Sequence, residues 1–320
     1  MKKIGIITSG GDAPGMNAAI RTVVRLAHSK GFKLVGFERG YEGLITNTFR
    51  PMGPRSVGGI INRGGTILYT ARCPEFEKKS GMQKAAENLE KDKIDDLVVI
   101  GGNGSFQGAY ELSKICDTAI IGVPSTIDND VFGTEETVGF DTAVNTAMEQ
   151  IDKIRDTAVS HERIFVIEVM GRTRGFIALA VGLAVGAEII LVPEVKFDVN
   201  KIYDTLEENH KKGKKSSLIV AAEGIGDTHK LTKEISQHTG YEARLSVIGY
   251  VQRGGNPTAR SRFLASLFGS KAVEVLSNGE KDKIVGLQNG KIVTVSLEES
   301  CETIKPLDEK ILQLAKELAI

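Results

Sequence analysis

The stretch "IGIITSGGDAPGMNAAI", residues 4–20, places a short apolar run, a glycine-rich turn and the start of a helical pattern in direct succession. A continuously apolar run is typical of a strand that is buried on both faces of a sheet. In the turn, Gly10, Gly11 and Gly15 let the backbone come close to an anion, and the following helix points its N-terminus at that anion. A tight turn without a ligand is the simpler alternative. Because neither G-x-x-x-x-G-K-[ST] nor G-x-G-x-x-G is present, a different phosphate cradle is predicted.

Runs of the same apolar kind alternate with helical patterns along the whole chain. The strand-like runs lie at residues 4–7, 34–37, 97–100, 119–123, 164–169, 188–192, 218–222 and 245–248. The helical patterns lie at residues 18–29, 84–91, 144–157, 200–211 and 261–276. This alternation favours an α/β fold, doubly wound and with mainly parallel sheets, in which ligands bind beyond the carboxyl ends of the strands.

Three further patterns refine this prediction. Residues 177–193 indicate a buried helix that leads into a strand, because glycines and Glu188 interrupt the apolar stretch. Asn289-Gly290 between two apolar runs predicts a type I′ hairpin, and residues 308–320 predict a closing helix. A chain of 320 residues suits two domains, and the pattern alone places a boundary near residue 140.

Composition excludes several classes of function. Lys and Arg together number 41, as do Asp and Glu, so no net field would draw the protein to nucleic acid or to an acidic membrane. Cys73, Cys116 and Cys301 are far apart and lack metal-ligand spacing, which indicates unpaired thiols in a reducing cytosol. We find no signal peptide pattern and no apolar stretch of membrane-spanning length, so we expect a cytoplasmic protein.

The stretch "GGNGSFQGA", residues 101–109, follows an apolar run and is interpreted as a second glycine-rich loop at a strand end. Two such loops, the second with Ser105 among its glycines, favour phosphate binding over a pair of tight turns. Asn103 is neutral, however, whereas a metal-bound phosphate would favour a carboxylate at this place.

The stretch "PSTIDND", residues 124–130, brings two carboxylates into play. In an extended segment, Asp128 and Asp130 would point to the same side because they are two residues apart. One can then act as a base while the other binds Mg²⁺. An Asx-turn is the alternative for this motif alone, but beside two phosphate loops we favour the carboxylate pair.

Charged side chains in loops at strand ends form a third group of candidates: Arg163, Arg172, Arg244, Arg253 and Glu223. Single arginines are usually solvated, but guanidinium forks among glycines suit phosphate oxygens. The residues alone therefore predict phosphoryl transfer to a phosphorylated small molecule, and this reaction class implies Mg²⁺.

Two basic clusters remain open to two interpretations. Arg21 and Arg25 share one face of the first helix, and "KKGKK" occupies residues 211–215. Each is either a solvated surface or part of a second anion site.

Motifs in a fixed order across nearly the whole chain resemble those of the bacterial ATP-dependent 6-phosphofructokinases. They are "TSGGDAPGMNAAIR", "INRGGTILYTARCPEF", "GG-x-GS", "TIDND", "TAxSHER", "VIEVMGR" and "QRGG-x-P". The resemblance implies two Rossmann-like lobes with the active site in the cleft between them. The larger, ATP-binding lobe would comprise residues 1–139 and 252–304, and the smaller, sugar-phosphate-binding lobe residues 140–251 and 305–320. It also implies a cytoplasmic, glycolytic homotetramer with no nucleic-acid or membrane partner.

The resemblance also implies roles for individual residues. The ATP contacts would be Gly11, Tyr41, Arg72, Cys73, Gly102, Asn103, Gly104, Ser105 and Gly108. The fructose 6-phosphate contacts would be Thr126, Asp128, Asp130, Arg163, Met170, Gly171, Arg172, Glu223, Arg244, Tyr250 and Arg253, with Arg163 and Arg244 supplied by a neighbouring subunit. Asp128 would be the base, assisted by Arg172, Thr126 and Gly11, and Asn103 and Asp130 would face Mg²⁺. An effector pocket for ADP or phosphoenolpyruvate would use Arg21, Arg25, Arg155, Glu188, Lys212, Lys214 and Lys215.

This chain departs from the family pattern at two places that bear on activity. Asn103 stands where the family has an aspartate that serves Mg²⁺, and Tyr250 stands where a histidine at the sugar phosphate is common. Small residues at Gly104 and Ser125 favour ATP over pyrophosphate, although glycine is usual at 125. The leading hypothesis is a working kinase with a handicap in its use of Mg²⁺ and nucleotide. The alternative is a catalytically weakened paralogue that binds sugar phosphate or nucleotide as a regulatory subunit. A nicotinamide dehydrogenase is disfavoured because no acidic residue follows the first glycine turn at the ribose position.

Overall fold

The computed structural model describes residues 2–319. Among these residues the strands are β1 (Lys3–Thr8), β2 (Lys33–Phe37), β3 (Phe49–Met52), β4 (Asp96–Gly101), β5 (Ala119–Thr126), β6 (Val138–Gly139), β7 (Ile164–Val169), β8 (Ile189–Leu191), β9 (Ser217–Ala222), β10 (Ala243–Val247), β11 (Lys283–Gln288) and β12 (Lys291–Ser296). The α-helices are α1 (Met16–Ser29), α2 (Tyr41–Thr46), α3 (Lys79–Lys91), α4 (Asn103–Ser113), α5 (Phe140–His161), α6 (Phe176–Ala184), α7 (Val199–Lys211), α8 (Thr228–Thr239), α9 (Ala259–Ser277), α10 (Leu297–Glu302) and α11 (Glu309–Leu318).

The chain divides into two compact units. Unit 1 comprises Met1–Thr142 with Arg253–Lys305, and unit 2 comprises Ala143–Gln252 with Pro306–Ile320. Each unit is therefore built from two segments of the chain.

Unit 1 contains a sheet with the strand order β12-β11-β5-β4-β1-β2-β3, and β6 pairs with β5. The central pairs are parallel, whereas β3 lies antiparallel to β2 and β12 lies antiparallel to β11. The fold class predicted from the sequence, an α/β fold with mainly parallel sheets, is confirmed.

Helices cover both faces of this sheet. Ile7, Val99 and Ile120 belong to a core that also takes in residues of α2, α3, α4 and α10. Their neighbours Ile6 and Val98 are also fully buried, because α1 and α9 pack against each other and against β2, β4 and β5. Burial on both faces explains why these strands read as continuous apolar runs.

Unit 2 contains a smaller sheet with the order β10-β7-β9-β8, in which all pairs are parallel. Residues of α7 and α8 form a core with Val166, Ile219 and Ala221. The helices α6 and α11 contact each other and β8. The predicted buried helix that leads into a strand is confirmed as α6 and β8.

The C-terminal hairpin is also confirmed. Gln288 pairs with Lys291, and the turn residues Asn289 and Gly290 have φ values of 49° and 72°. Positive φ at both positions is the requirement of a type I′ turn, which Asn-Gly meets at low cost.

Short or polar elements were missed from the sequence. The helix α2 has six residues, which is too short to show helical periodicity. β3 contains Pro51, which is tolerated because β3 is an antiparallel strand at the edge of the sheet. Within residues 2–319 no helix combines the length and apolar composition that a membrane span needs.

Two phenylalanines of α9 provide a test of this packing. Phe268 is fully buried, whereas Phe263 is 59% exposed. We expect Phe268→Ala to lower the free energy of unfolding by about 3–5 kcal/mol through a cavity, and Phe263→Ala to change it by less than about 0.5 kcal/mol. Urea denaturation of both variants measures the difference. Similar losses in the two variants would contradict the placement of α9.

Candidate active site

The turn between β1 and α1 is shaped by its close approach to Arg253. A Cβ atom on Gly11 would lie 2.0 Å from Nη1 of Arg253, so glycine is required while the guanidinium stays in place. The Arg253 side chain is only 17% exposed, and its Nη1 lies 4.0 Å from Oδ1 of Asp12. The structure thus places Arg253, a predicted sugar-phosphate contact, against the predicted nucleotide turn.

The second glycine-rich stretch is not a loop over its whole length. The helix α4 begins at Asn103, so Asn103, Gly104 and Ser105 form its first turn and Gly108 lies within the helix. The prediction of a loop over residues 101–109 was wrong because glycine lowers helix propensity without preventing a helix that tertiary contacts support. A helix N-terminus remains a suitable phosphate site because its first N–H groups lack partners within the helix.

The side chains of Tyr41 and Phe76 pack beside the first turn of α4. Tyr41 is buried, its hydroxyl donates to the carbonyl oxygen of Ser105, and its ring stacks on Phe76 with the centroids 4.0 Å apart. A Cβ on Gly108 would lie 3.1 Å from both rings, which explains the glycine. Burial raises the pKa of the Tyr41 phenol above its usual range, so the phenol remains a hydrogen-bond donor. Tyr41 therefore supports α4, whatever contact it makes with a nucleotide.

The hydroxyl of Ser105 lies between the two glycine segments. A Cβ on Gly10 would lie 3.1 Å from Ser105 Oγ, and a Cβ on Gly101 would lie 2.5 Å from it. Ser105 Oγ is buried and has no hydrogen-bond partner among the described residues. A donor without a partner at a helix N-terminus suits a phosphate oxygen.

A residue that the sequence analysis missed orders the loop that carries Arg72 and Cys73. Asn17 is 1% exposed, and its amide nitrogen donates to the carbonyls of Arg63 and Gly64 at 3.1 Å each. Its amide oxygen accepts from Ile67 N at 2.8 Å. Asn17 lies beside the glycine turn in sequence, but nothing in that position alone indicates this role.

The segment after β5 differs from the extended geometry that we predicted. β5 ends at Thr126, and Asn129 has a left-handed φ of 52°. The inference that Asp128 and Asp130 point to one side of an extended strand was therefore wrong. Asp128 is 4% exposed, and its N–H donates to Oγ1 of Thr126 at 3.2 Å.

Asn103 and Asp130, the predicted Mg²⁺ ligands, lie next to each other. The Asn103 amide nitrogen donates to the backbone carbonyl of Asp130 at 3.0 Å. Among the described residues no cluster of three or more His, Cys, Asp or Glu side chains is arranged to hold a metal. Mg²⁺ is usually bound by one or two carboxylates together with substrate phosphates and water, so the Asp130 carboxylate and the Asn103 amide oxygen fit an ion that arrives with a nucleotide.

In unit 2 a tight turn follows β7. Gly171 and Arg172 have φ values of 141° and 54°, and the N–H groups of both donate to Oε1 of Glu223. Met170 N donates to Oε1 of Gln252 at 2.9 Å, and Gln252 is fully buried. Glu223, predicted to contact the sugar, thus also holds the turn that presents Arg172. Gln252 was missed because glutamine in a glycine-rich stretch carries no distinct signal.

Arg163 and Arg244 share one carboxylate. Arg163 Nε lies 2.7 Å from Oε2 of Glu242, and Arg244 Nε lies 2.8 Å from Oε1 of the same side chain. Glu242 was not singled out in the sequence. Tyr250, predicted to contact the sugar phosphate, is 81% exposed.

Comparison with known proteins places the chain in a family. The profile of the phosphofructokinase family matches residues 3–276. The chain is 52% identical over 320 residues to the ATP-dependent 6-phosphofructokinase of Lysinibacillus sphaericus, with 100% of both chains covered. It is 51% identical to the enzyme of the same name from Bacillus subtilis, again over both full lengths. The chain is a member of the phosphofructokinase family.

A solved phosphofructokinase has the same fold. The structure from Saccharomyces cerevisiae superposes with a TM-score of 0.89 at 35% identity and covers 100% of this chain. This chain spans 48% of the length of that yeast chain.

The charged residues that were predicted to form an effector pocket are distributed over both units. In unit 2, Glu188 is buried, accepts from Leu218 N and forms an ion pair with Lys214. Arg155 donates to the carbonyl of Val185, and Lys215 pairs with Glu162. In unit 1, Arg21 and Arg25 lie on the more exposed side of α1. Lys212 is exposed at the end of α7.

The shared carboxylate of Glu242 generates a prediction about anion binding. Hydrogen bonding from Arg163, opposed in part by desolvation, lowers the pKa of Glu242. The carboxylate therefore stays charged at neutral pH and is protonated only at a lower pH than an ordinary glutamate. If Arg163 and Arg244 bind a phosphate, as the sequence predicts, the charged Glu242 carboxylate would compete with it at pH 7. We expect Glu242→Gln to tighten the binding of fructose 6-phosphate about threefold, the range that an exposed ion pair supports.

Calorimetric titration measures this affinity. Glu149→Gln is the matched control, because Glu149 forms an exposed ion pair with Lys153 on α5. Unchanged affinity in Glu242→Gln would show that the carboxylate does not compete with phosphate.

Proposed function

We propose that this phosphofructokinase transfers the γ-phosphoryl group of ATP to the 1-hydroxyl of D-fructose 6-phosphate, giving fructose 1,6-bisphosphate and ADP. The observation that carries the proposal is the placement of Asp128 in unit 1. This carboxylate follows β5, and the next acidic residue, Asp130, is hydrogen bonded through its carbonyl to the first residue of α4. The relatives that carry this activity in their names match the chain over its full length.

In the proposed reaction Asp128 is the general base. The proton of the sugar 1-hydroxyl passes to the Asp128 carboxylate as the hydroxyl oxygen forms its bond to the γ-phosphorus. The bond from that phosphorus to the bridging oxygen of ADP breaks, and ADP leaves with the electron pair. The hydroxyl of Thr126, which already accepts from Asp128 N, holds the backbone of the base in place.

The nucleotide phosphates are assigned to the segments at the carboxyl ends of β1 and β4. Backbone N–H groups at Gly11 and in the first turn of α4, together with Ser105 Oγ, supply donors that face phosphate oxygens. The exposed Arg72 and the partly buried Cys73 lie in the loop that Asn17 orders. The charge that spreads over the transferring oxygens is assigned to Arg172, whose turn is held by Glu223. Bound Mg²⁺, held by Asp130 and Asn103 together with the phosphates, would supply further charge neutralisation.

The sugar phosphate is assigned to Met170, Gly171, Arg172, Glu223, Tyr250 and Arg253, with Arg163 and Arg244 from a neighbouring subunit. We propose a homotetramer, as the family resemblance implies, in which a neighbouring subunit reaches this site. The exposure of Val247, Tyr250 and Val251, which are 50%, 81% and 56% exposed, supports an interface between copies. We also propose a cytoplasmic, glycolytic role, with ADP or phosphoenolpyruvate as effector at the basic residues.

A second candidate function is favoured by one contact. Because residue 103 is asparagine, the chain presents one carboxylate fewer to Mg²⁺ than the family pattern, and the Asn103 amide nitrogen is engaged by the carbonyl of Asp130. The alternative is therefore a weakened paralogue that binds sugar phosphate or nucleotide and regulates another enzyme. A coupled assay of fructose 1,6-bisphosphate formation with ATP and Mg²⁺ separates the two candidates, since binding without turnover would favour the paralogue.

Removal of the base is the direct test of the mechanism. We expect Asp128→Asn to lower kcat by about 10²–10⁴-fold, because no group then accepts the proton, and to leave the affinity for fructose 6-phosphate nearly unchanged. The control is Asp117→Asn, which changes an exposed aspartate elsewhere in unit 1. Wild-type kcat in Asp128→Asn would remove Asp128 from its role.

Restoration of the family carboxylate tests the account of Asn103. Asn103→Asp adds a unit charge beside the ion, worth at most about 4 kcal/mol at an effective dielectric of 20. It also loses a hydrogen bond of about 1 kcal/mol to the Asp130 carbonyl. The net gain should raise kcat/KM for MgATP about 10-fold and lower the Mg²⁺ concentration at half-maximal rate.

Asn103→Ala is the control, because it loses the amide without adding charge, and we expect it to fall below the wild type. A titration of MgATP by calorimetry reports the same change without turnover. If Asn103→Asp brings no gain by either measure, Mg²⁺ does not depend on position 103.

A further inference from the structure

Lys305 binds the loop that follows the proposed base, Asp128. Its ammonium group donates to the carbonyl oxygen of Asn129 at 2.8 Å and to that of Glu135 at 3.0 Å. These two carbonyls stand at opposite ends of the segment 129–135, which follows Asp128 directly. One ammonium group therefore joins both ends of the segment.

Residues 132–135 of the segment are held by other groups of unit 1. The Ser300 hydroxyl donates to Phe132 O at 2.9 Å, and Glu135 N donates to Leu287 O at 2.8 Å. Leu287 N donates to Thr134 Oγ1 at 3.0 Å. The segment is thereby bound to α10 at Phe132 and to β11 at Thr134 and Glu135.

The end of the segment at Asn129 has fewer contacts, and its backbone conformation is unfavourable. Asn129 is held at a φ of 52°, its amide nitrogen donates to Glu135 O at 3.1 Å, and its amide oxygen accepts from Thr137 N at 3.0 Å. A non-glycine residue in this region persists only where its surroundings determine it. Lys305 binds the carbonyl of the peptide between Asn129 and Asp130. It therefore restrains the backbone one residue beyond Asp128.

We propose that Lys305 is a positioning residue for Asp128. It acts through the backbone: its ammonium fixes the Asn129 carbonyl, which holds the left-handed turn and keeps the Asp128 carboxylate in the orientation that proton transfer requires. A misplacement of about 1 Å at a reacting group can lower a rate about 10²-fold, so loss of this contact affects kcat more than substrate affinity. The proposal rests on the proposed function, in which Asp128 is the base.

The test uses Lys305→Met, which keeps the length of the side chain and removes the donors. We expect kcat to fall about 10–100-fold, with KM for fructose 6-phosphate and ATP changed by less than about twofold. Lys305→Arg keeps a charged donor and should recover part of kcat. The control is Lys291→Met, because Lys291 is an exposed lysine at the start of β12.

A double variant separates positioning from a general structural role. In the Asp128→Asn background, Lys305→Met should cost less than about twofold in kcat, since the group that it positions is already lost. A full additional loss in that background, a wild-type kcat in Lys305→Met, or an effect on KM alone would each overturn the proposal. Should the methionine variant not fold, Lys305→Gln takes its place. Its side chain is shorter and uncharged but keeps a donor, so we expect a loss of kcat of about 3–10-fold, and a wild-type kcat would overturn the proposal.

Failure of the proposed function would be recognised separately. If Asp128→Asn retains full activity, Asp128 is not the base. If the wild type shows no turnover, amide hydrogen exchange of residues 127–137 replaces the kinetic readout. Exchange should be faster in Lys305→Met than in Lys291→Met, and equal exchange would overturn the role of Lys305 in holding the loop.

Discussion

The parallel pairing of β1, β4 and β5 is the constraint on which the candidate site of unit 1 depends. Thr8 pairs with Ile100, and Gly101 pairs with Pro124, so these strands end side by side and their following segments share one edge of the sheet. The ladder continues past β1, since Ser9 N donates to Ile100 O at 3.1 Å. At this separation side chains compete for space, and a Cβ on Gly101 would lie 2.7 Å from Ser9 O. Gly101 is thus required by the strand register whether or not it binds phosphate, and the same register gives backbone N–H groups access to an anion.

The segment after β5 shows how distant parts of unit 1 contribute to this edge. Its left-handed residue, Asn129, is stabilised by its own side chain and by Lys305, and the hairpin β11–β12 binds the same segment at Thr134. The hairpin extends the sheet beside β5 and also binds the segment at the hydroxyl of Thr134 and the backbone N–H of Glu135. A C-terminal element without proposed catalytic side chains therefore helps to hold the segment that follows the buried carboxylate of Asp128. This arrangement is expected wherever a strained backbone must be maintained by its surroundings.

The sequence predicted those features that depend on local pattern and failed where tertiary contacts decide. Apolar runs such as Ile4–Ile7 predicted buried parallel strands because burial on both faces requires them, and Asn289-Gly290 predicted the hairpin turn. The glycines within residues 101–109 argued against a helix, yet α4 forms with support from Tyr41, and the rings of Tyr41 and Phe76 occupy the space beside Gly108. Asp128 and Asp130 were placed on one side because the chain was taken as extended. Asn129 does tolerate a positive φ, but that tolerance did not show that the turn would form.

The residues that the sequence analysis missed act across long separations. Asn17 contacts a carbonyl 46 residues away, Gln252 contacts Met170 N across 82 residues, and Lys305 contacts Asn129 O across 176 residues. Each binds backbone groups, so its residue type is constrained only by the fold and no local motif marks it. By contrast, Arg163, Arg172 and Arg253 stood out because charge near glycines is a local feature. Motif analysis therefore identifies groups that face a ligand more readily than groups that hold them there.

Asn103 shows why a single substitution in a motif has to be judged against its contacts. From charge alone, an amide in place of a carboxylate is a loss, since Mg²⁺ prefers anionic oxygen ligands. The structure adds that the amide nitrogen donates to the Asp130 carbonyl, which an ionised aspartate cannot do. With Lys305 on the carbonyl of Asn129, two consecutive peptide carbonyls each have a donor from a side chain. The peptide planes on both sides of the Asp130 Cα are thus fixed by protein groups, so their orientation does not require a bound metal. The hydrogen bond offsets only part of the lost charge, because a neutral hydrogen bond contributes about 1 kcal/mol and a unit charge at contact range up to about 4 kcal/mol.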